Sequence, residues 1–278
     1  MSKITVTTIA GQTSGSDANK VKIESGDTLE VVSNATVGGT TTLTGDLAVD
    51  TDTLFADVSA DKVGINNSAP NHELQINGNS TTSSLALKTS ATGNATSDGL
   101  ELKVQGDSAA YLYNYENAML RFGTNGLERV RIDADGQVTK PNQCYFSVGV
   151  PGNQNNISNS GYTTITFDSE TFDIGNNFAS NTFTAPVTGK YLFCLNMRLD
   201  NVDTAVSYYN IGINTSNRSH FQLFAPTFAS DPPYYNFMKS VIVDMDANDT
   251  STVSIFQNGG TAQTDINSST RWYGYLLG

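Results

Sequence analysis

Two histidines, His72 and His220, and two cysteines, Cys144 and Cys194, are the side chains best suited to general-base or thiol chemistry near neutral pH. A histidine base needs a nucleophile to deprotonate and a third group to orient it. His72 lies near Pro70 in a turn-rich stretch and His220 follows "SNRS" at a strand start, neither beside a Ser or Cys motif of nucleophilic type. "GQTSG" at residues 11–15 lacks the spacing of a nucleophile elbow. Carboxylate pairs occur only in turns. "DMDANDTSTVSI" (residues 244–255) opens like a calcium loop with Asp244, Asp246 and Asn248. It has no Gly at its sixth position, however, and carries Ile255 where a bidentate Glu is required, which favours a solvated turn. The cysteines are too few for a disulfide framework and sit among apolar strand residues, which predicts buried free thiols. No catalytic residue emerges, and Asp244 and Asp246 are the only metal candidates, weak ones.

The elements that must position any site are strands. Only 15% of the 278 residues are charged; Thr, Val, Ile, Tyr and Phe recur in short runs, and stretches of Ala, Leu, Glu and Lys are almost absent. That balance predicts an all-β protein. The net charge of −12 opposes binding to nucleic acid or to anionic membranes. No run approaches the roughly 20 apolar residues of a membrane span, so no membrane insertion is expected. "MSKITVTTIAGQTSG" has no apolar signal-peptide core, so the expectation is synthesis in a cytoplasm without N-terminal export.

Period-two alternation marks half-wet strands in "KVKIE", "DTLEVV", "HELQIN" (Leu74, Ile76), "GLELKV" (Leu100, Leu102, Val104) and "RVRID" (Val130, Ile132). Turn clusters such as "SADK", "NGN" and "DADG" separate them. Two or three apolar residues per strand bury too little area to offset the entropy of ordering the chain. Association of several copies would cover each stripe and pair the strand edges. The expected organisation is an attachment segment at 1–45, a β-rich oligomeric stalk at 46–141, and a head at 142–278 that begins where Pro141 breaks the strand pattern. A disordered leader is the alternative for the first part. "DVSADKV" (57–63) and "RIDADGQV" (131–138) echo one another as strand, Ala-Asp turn and strand.

The second half carries longer, more aromatic strands. In "NTFTAPVTGKYLF" (181–193) a Pro186–Gly189 turn joins two of them. In the strand that follows, Tyr191, Phe193, Leu195 and Met197 fall on one face, with Leu192 and Cys194 beginning the other. "RWYGYLLG" repeats this, with Trp272 and Leu276 on one face and Tyr273, Tyr275 and Leu277 on the other. Apolar residues on both faces predict a central strand covered from two sides, and in a two-layer sandwich the second cover calls for a partner subunit. Many such strands joined by turns predict a sandwich or jelly roll.

"FDIGNNFASNTFTAPVTGKYLF" closely resembles the signature of the complement first-component q globular head, a relative of the tumour necrosis factor fold. The matching positions are Phe172, Asn177, Phe178, Phe183, Pro186, Gly189, Tyr191 and Phe193, and Gly274 to Leu277 resemble the family's last strand. The resemblance implies a ten-stranded jelly roll over residues 142–278, a tight homotrimer with Phe183, Gly189, Tyr191, Phe193, Trp272, Tyr273 and Tyr275 in its core and contact surfaces, and binding in place of catalysis. It also leaves room for calcium, since some relatives hold the ion. Residues 57–76, with Ser59, Asp61, Val63, Gly64, Ile65, Ser68, Pro70, Leu74 and Ile76, resemble a unit common in bacteriophage tail fibres and other appendages.

Together these resemblances imply a homotrimeric virion protein made in the host cytoplasm. Its N-terminal segment would dock on other virion proteins, and its head would touch a host glycan or outer-membrane protein. Exposed aromatics on a fixed loop suit the apolar faces of sugars. Phe228, Tyr234 and Tyr235 flanking Pro232–Pro233 are therefore the receptor-contact candidates, with Tyr208 and Arg218 behind them. Packing of these rings against a neighbouring subunit is the competing account. A head fibre or decoration protein, a baseplate or tail connector, and a secreted lectin-like adhesion protein are the alternatives. A polysaccharide-degrading spike would need a paired carboxylate cleft that the sequence does not offer.

Overall fold

The computed structural model describes residues 47–49, 53–57, 59–78 and 81–278. The expected attachment segment and the strands "KVKIE" and "DTLEVV" lie outside the described residues. Every regular element among the described residues is a strand. The described residues divide into two compact units, those up to 87 with 101–113, and 88–100 with 114–278.

In the first unit, β1 (Leu47–Val49), β2 (Leu54–Asp57), β3 (Lys62–Ile65) and β4 (Leu74–Ile76) form one sheet in that order, antiparallel except for the parallel pair β3–β4. The Asp57 carboxylate organises the β2–β3 turn, accepting hydrogen bonds from the Ser59 and Ala60 amides at 3.0 Å and from the Ser59 hydroxyl at 2.6 Å. β5 (Thr82–Leu87), β6 (Leu100–Gln105) and β7 (Ala110–Asn114) make a second sheet. One of its faces carries Tyr111 stacked on Tyr113 at 5.4 Å, with the Lys103 ammonium over both rings and ion-paired to Glu101 at 3.2 Å. Alternation sends Leu102, Val104 and Leu112 to the opposite face, where all three are exposed. Burial here is inverted. The charged side is partly covered and the apolar side is open.

The second unit begins with a meander of β8 (Leu120–Thr124), β9 (Leu127–Ile132) and β10 (Val138–Thr139). The echo of the β2–β3 turn holds in form, because the Asp133 carboxylate caps the β9–β10 turn by accepting from the Asp135 and Gln137 amides at 3.1 and 2.8 Å. Asp57 and Asp133 are not aligned positions, and they cap different amides, those two and three residues on for Asp57 and those two and four residues on for Asp133.

The remaining strands are β11 (Tyr145–Gly149), β12 (Tyr162–Thr164), β13 (Ser169–Ile174), β14 (Phe178–Ala179), β15 (Thr182–Thr184), β16 (Gly189–Asp200), β17 (Tyr208–Thr215), β18 (Ser219–Phe224), β19 (Tyr234–Met245), β20 (Thr250–Asn258), β21 (Asp265–Ile266) and β22 (Arg271–Leu276). They build two six-stranded antiparallel sheets. The first runs β13-β11-β22-β16-β19 with β21 beside β16; the second runs β14-β15-β20-β17-β18 with β12 beside β20. The count exceeds the ten implied by the resemblance because the two-residue strands β14 and β21 are separate elements.

The inward faces of these sheets hold the buried apolar core, all of which lies between Cys144 and Trp272. On β16, Tyr191, Phe193, Leu195, Met197 and Leu199 are all inside. Phe183 on the facing sheet meets Tyr191 at 5.5 Å and Phe193 at 5.4 Å. Ala185 anchors the intervening turn through backbone bonds with Asp249 and Asn248, each 2.8 Å, and the Tyr191 hydroxyl donates to the Val187 carbonyl at 2.7 Å. The aromatic residues around Pro186 and Gly189 are thus where one sheet hands the chain to the other across the core.

Candidate binding surfaces

The outward face of the first sheet is apolar at its centre and charged at its ends. Leu192, Cys194, Tyr273 and Tyr275 project from the central strands, joined on β19 by Met238, 80% exposed, and Ile242, 59% exposed. Lys190 pairs with Asp244 at one end, and Arg198 pairs with Asp200 at 2.6 Å at the other. An apolar centre with a charged rim is the anatomy of a protein–protein contact.

The sequence candidates for receptor contact fall in three places. Phe228 and Tyr235 belong to a ring cluster of their own chain, with Phe224 stacked on Tyr235 at 4.4 Å and Phe228 at 5.7 Å from Tyr235. Tyr234 lies on the outward face of the first sheet, under the Arg198 guanidinium at 5.1 Å. Tyr208 sits on the outward face of the second sheet, 6.0 Å from Phe256, and Arg218 is exposed in the β17–β18 hairpin. Sequence reasoning passed over Tyr162, Phe221 and Phe256, which gather on that same second-sheet face. They lie far apart in the sequence, and only strand register brings them together.

The reactive side chains are held in unreactive states. Burial, followed by the Asp173 charge, pushes the Cys144 thiol up to about 11, and burial raises that of Cys194, which is half-buried. Both stay protonated and poorly nucleophilic near neutral pH. Asp244 has Lys190 as its counter-charge, and the Asp246 carboxylate accepts from the Thr188 hydroxyl at 3.5 Å. Lys190 supplies the positive charge that a cation would bring, so these residues do not fit calcium. Among the described residues no three His, Cys, Asp or Glu side chains converge as metal ligands.

A polar cleft of about 660 Å³ is lined by Asn156, Asn201, Asp231, Pro232, Gln263 and Asp265, among others. The Thr204 hydroxyl and amide, then Gln263, hold the Asp231 carboxyl below its usual range. Asp265 accepts from the Asn156 amide at 2.8 Å and the Asn201 side chain at 2.9 Å. Both carboxylates are engaged in fixing loops.

His220 stands at the start of β18 near Arg218 and Lys239. Burial, then those two cations, holds its pKa below the ordinary value. The unfolded chain therefore takes up this proton more readily than the folded one. This contribution to stability is complete above the unfolded pKa of about 6.5 and is lost as pH falls through that value towards the folded one. The urea midpoint should drop between about pH 7 and pH 5, and His220→Gln should flatten that part of the profile. An unchanged slope in the variant would remove His220 as the cause.

Two antiparallel sheets closed over an aromatic core, with apolar side chains left on an outward face, define a jelly-roll module. Residues 146–277 match the family model of the C1q domain, a stretch that runs from the second residue of β11 past the end of β22. Over these residues the chain is similar to the C1q domain, and they fold as a two-sheet jelly roll. Among solved structures, the globular domain of a zebrafish complement 1qA protein is similar at 16% identity and TM-score 0.37, covering 49% of this chain and 98% of its own. Murine APRIL is similar at 12% identity and TM-score 0.35, covering 49% of this chain and 99% of its own. No curated protein matches the chain significantly in sequence.

Proposed function

We propose that the chain is a homotrimeric, non-enzymatic structural protein of a bacteriophage virion: a tail fibre or similar appendage that touches the host surface. Residues 1–45 dock on other virion proteins, 46–141 form the stalk, and 142–278 form the head. The host partner in this reading is a surface glycan or an outer-membrane protein.

The observation that carries the reading is the apolar surface that one chain leaves uncovered. It comprises Leu102, Val104 and Leu112 in the stalk and the Met238–Ile242–Tyr273–Tyr275 face in the head. Patches of this kind mark association surfaces, and association of three copies would cover each of them. The phage context is supported by residues 57–76, whose resemblance to an appendage unit coincides with a folded sheet element, the capped β2–β3 turn followed by the parallel strand β4.

Sedimentation equilibrium of the full chain and gold-labelled antibody on purified particles test the reading together. A trimer in solution and label at the tail are expected. A stable monomer at micromolar concentration, or particles free of label, would sink it. Label on the capsid or baseplate would move the protein to the head-fibre or connector alternative.

A further inference from the structure

The second sheet of the head presents an outward face unlike that of the first. Strand register places Tyr162, Phe256, Asn210 and Leu223 in one row across β12, β20, β17 and β18. The next row is Thr164, Ser254, Gly212 and Phe221. The rings form a strip: Tyr162 lies 5.1 Å from Phe256 and 5.9 Å from Phe221, and Phe256 lies 6.0 Å from Tyr208. Gly212 makes the strip continuous. A Cβ there would come within 2.9 Å of the Phe221 ring, which lies across the glycine towards Tyr162. The side chains remain open to solvent, Tyr162 at 55% and Phe221 at 46%.

Charge separates the two faces. The outward positions of β12, β17, β18 and β20 alternate with the buried Tyr209, Ile211, Ile213, Val253 and Ile255, and none of them is Asp, Glu, Lys, Arg or His. They are aromatic, Leu, Thr, Ser, Asn and Gly. The first sheet carries Lys190, Asp244, Arg198 and Asp200 on its outward side. Hydroxyl and amide groups therefore border the ring strip with no ionic group among them. The Asn210 side-chain amide donates to the Tyr162 hydroxyl at 3.2 Å, which leaves that hydroxyl's own proton to donate outward.

We propose that this face is a binding platform for an uncharged glycan. The C–H faces of pyranose rings stack on the Phe221–Tyr162–Phe256 strip, and their hydroxyls exchange hydrogen bonds with the surrounding amides and hydroxyls. An uncharged ligand matches an uncharged face. The net charge of −12 disfavours sialylated, uronic or phosphorylated polymers through the field of the whole protein. The assignment deepens the reading of the head as a host-contacting module and narrows its partner to neutral sugar. It does not depend on the trimer or on the virion.

Affinity electrophoresis of the full chain tests it, in native gels containing dextran, laminarin, mannan or galactomannan, with polygalacturonate as the acidic comparator. Retardation by at least one neutral polymer is expected, weakened about tenfold or more by Phe221→Asp and by Tyr162→Ala, as for loss of a central aromatic contact. Both side chains are exposed, and an unchanged urea midpoint confirms that each variant is folded. The proposal falls if no neutral polymer retards the chain, if polygalacturonate does so instead, or if both folded variants bind as the unaltered protein does. It falls equally if the chain sediments as more than a trimer and Phe221→Asp restores the trimer, since the face would then join copies. A monomer in sedimentation or unlabelled particles would defeat the virion reading and leave this gel result standing.

Discussion

The Met238→Asp/Ile242→Asp double variant should sediment as a folded single chain of 29.7 kDa, where the unaltered protein is expected at three times that mass. Both residues project from β19 on the outward side of the first sheet, at positions paired with Asn196 and Leu192 of the central strand β16. Both lie on the side of β19 opposite Tyr235, Phe237, Val241, Val243 and Met245, which pack into the core. A carboxylate at either site is solvated in the isolated chain and loses its water at a subunit contact without gaining a cation. An uncompensated buried charge costs about 3–5 kcal/mol, so each substitution should weaken association more than 100-fold. Sedimentation equilibrium reads the mass, and circular dichroism reads the retained strand content. A variant that stays trimeric would show that the copies meet elsewhere, and the C1q-type packing proposed for this head would have to be abandoned.

Much of the head was legible because its strands are long and two-sided. The run from Tyr191 to Leu199 alternates in sequence and alternates in burial. The strands read in "NTFTAPVTGKYLF" and "RWYGYLLG" are present as β15, β16 and β22. What the alternation did not reveal are the two-residue strands β14 and β21 and the longer β13, Ser169–Ile174, an edge strand with a register shift against β11 between Ser147 and Val148. Four of its six residues are exposed, so no apolar period exists to be seen. The binding candidates fared differently for a physical reason. Phe228 and Tyr235 are conspicuous beside Pro232 and Pro233, but aromatic residues close in sequence also collapse on one another, as these do with Phe224. Tyr162, Phe221 and Phe256 are far apart in the chain, and sheet register brings them within ring contact. The paired faces of the stalk strands were readable as alternation. That the charged face would be the better covered one follows from Lys103 spanning two tyrosines on a neighbouring strand, which no period encodes.

Within the head, the closest clash made by adding a single methyl group is at Gly274→Ala, and a large loss of stability is expected there. Gly274 sits on β22 between β11 and β16, facing inward opposite Phe146 and Phe193. A Cβ there would lie 2.1 Å from the Phe146 ring, far inside contact distance. The ring has little room to retreat. It is stacked on Phe178 at 5.3 Å and Phe183 at 5.0 Å, and it meets Trp272 edge-on at 5.1 Å. The strand is restrained as well, because β22 is hydrogen-bonded on both edges. Overpacking of this kind costs about 1–3 kcal/mol where neighbours can yield, and the upper end applies here. Urea titration at fixed protein concentration should show the midpoint lowered by about 1 M or more. Phe146→Ala alone should cost about 3–5 kcal/mol through the cavity it leaves. Combined, the two should cost less than their sum by more than about 1 kcal/mol, since the new methyl group occupies part of the space the ring vacates. Strict additivity would mean that the glycine is required by its backbone and not by the ring, and the aromatic stack would then not be what fixes the spacing of the two sheets.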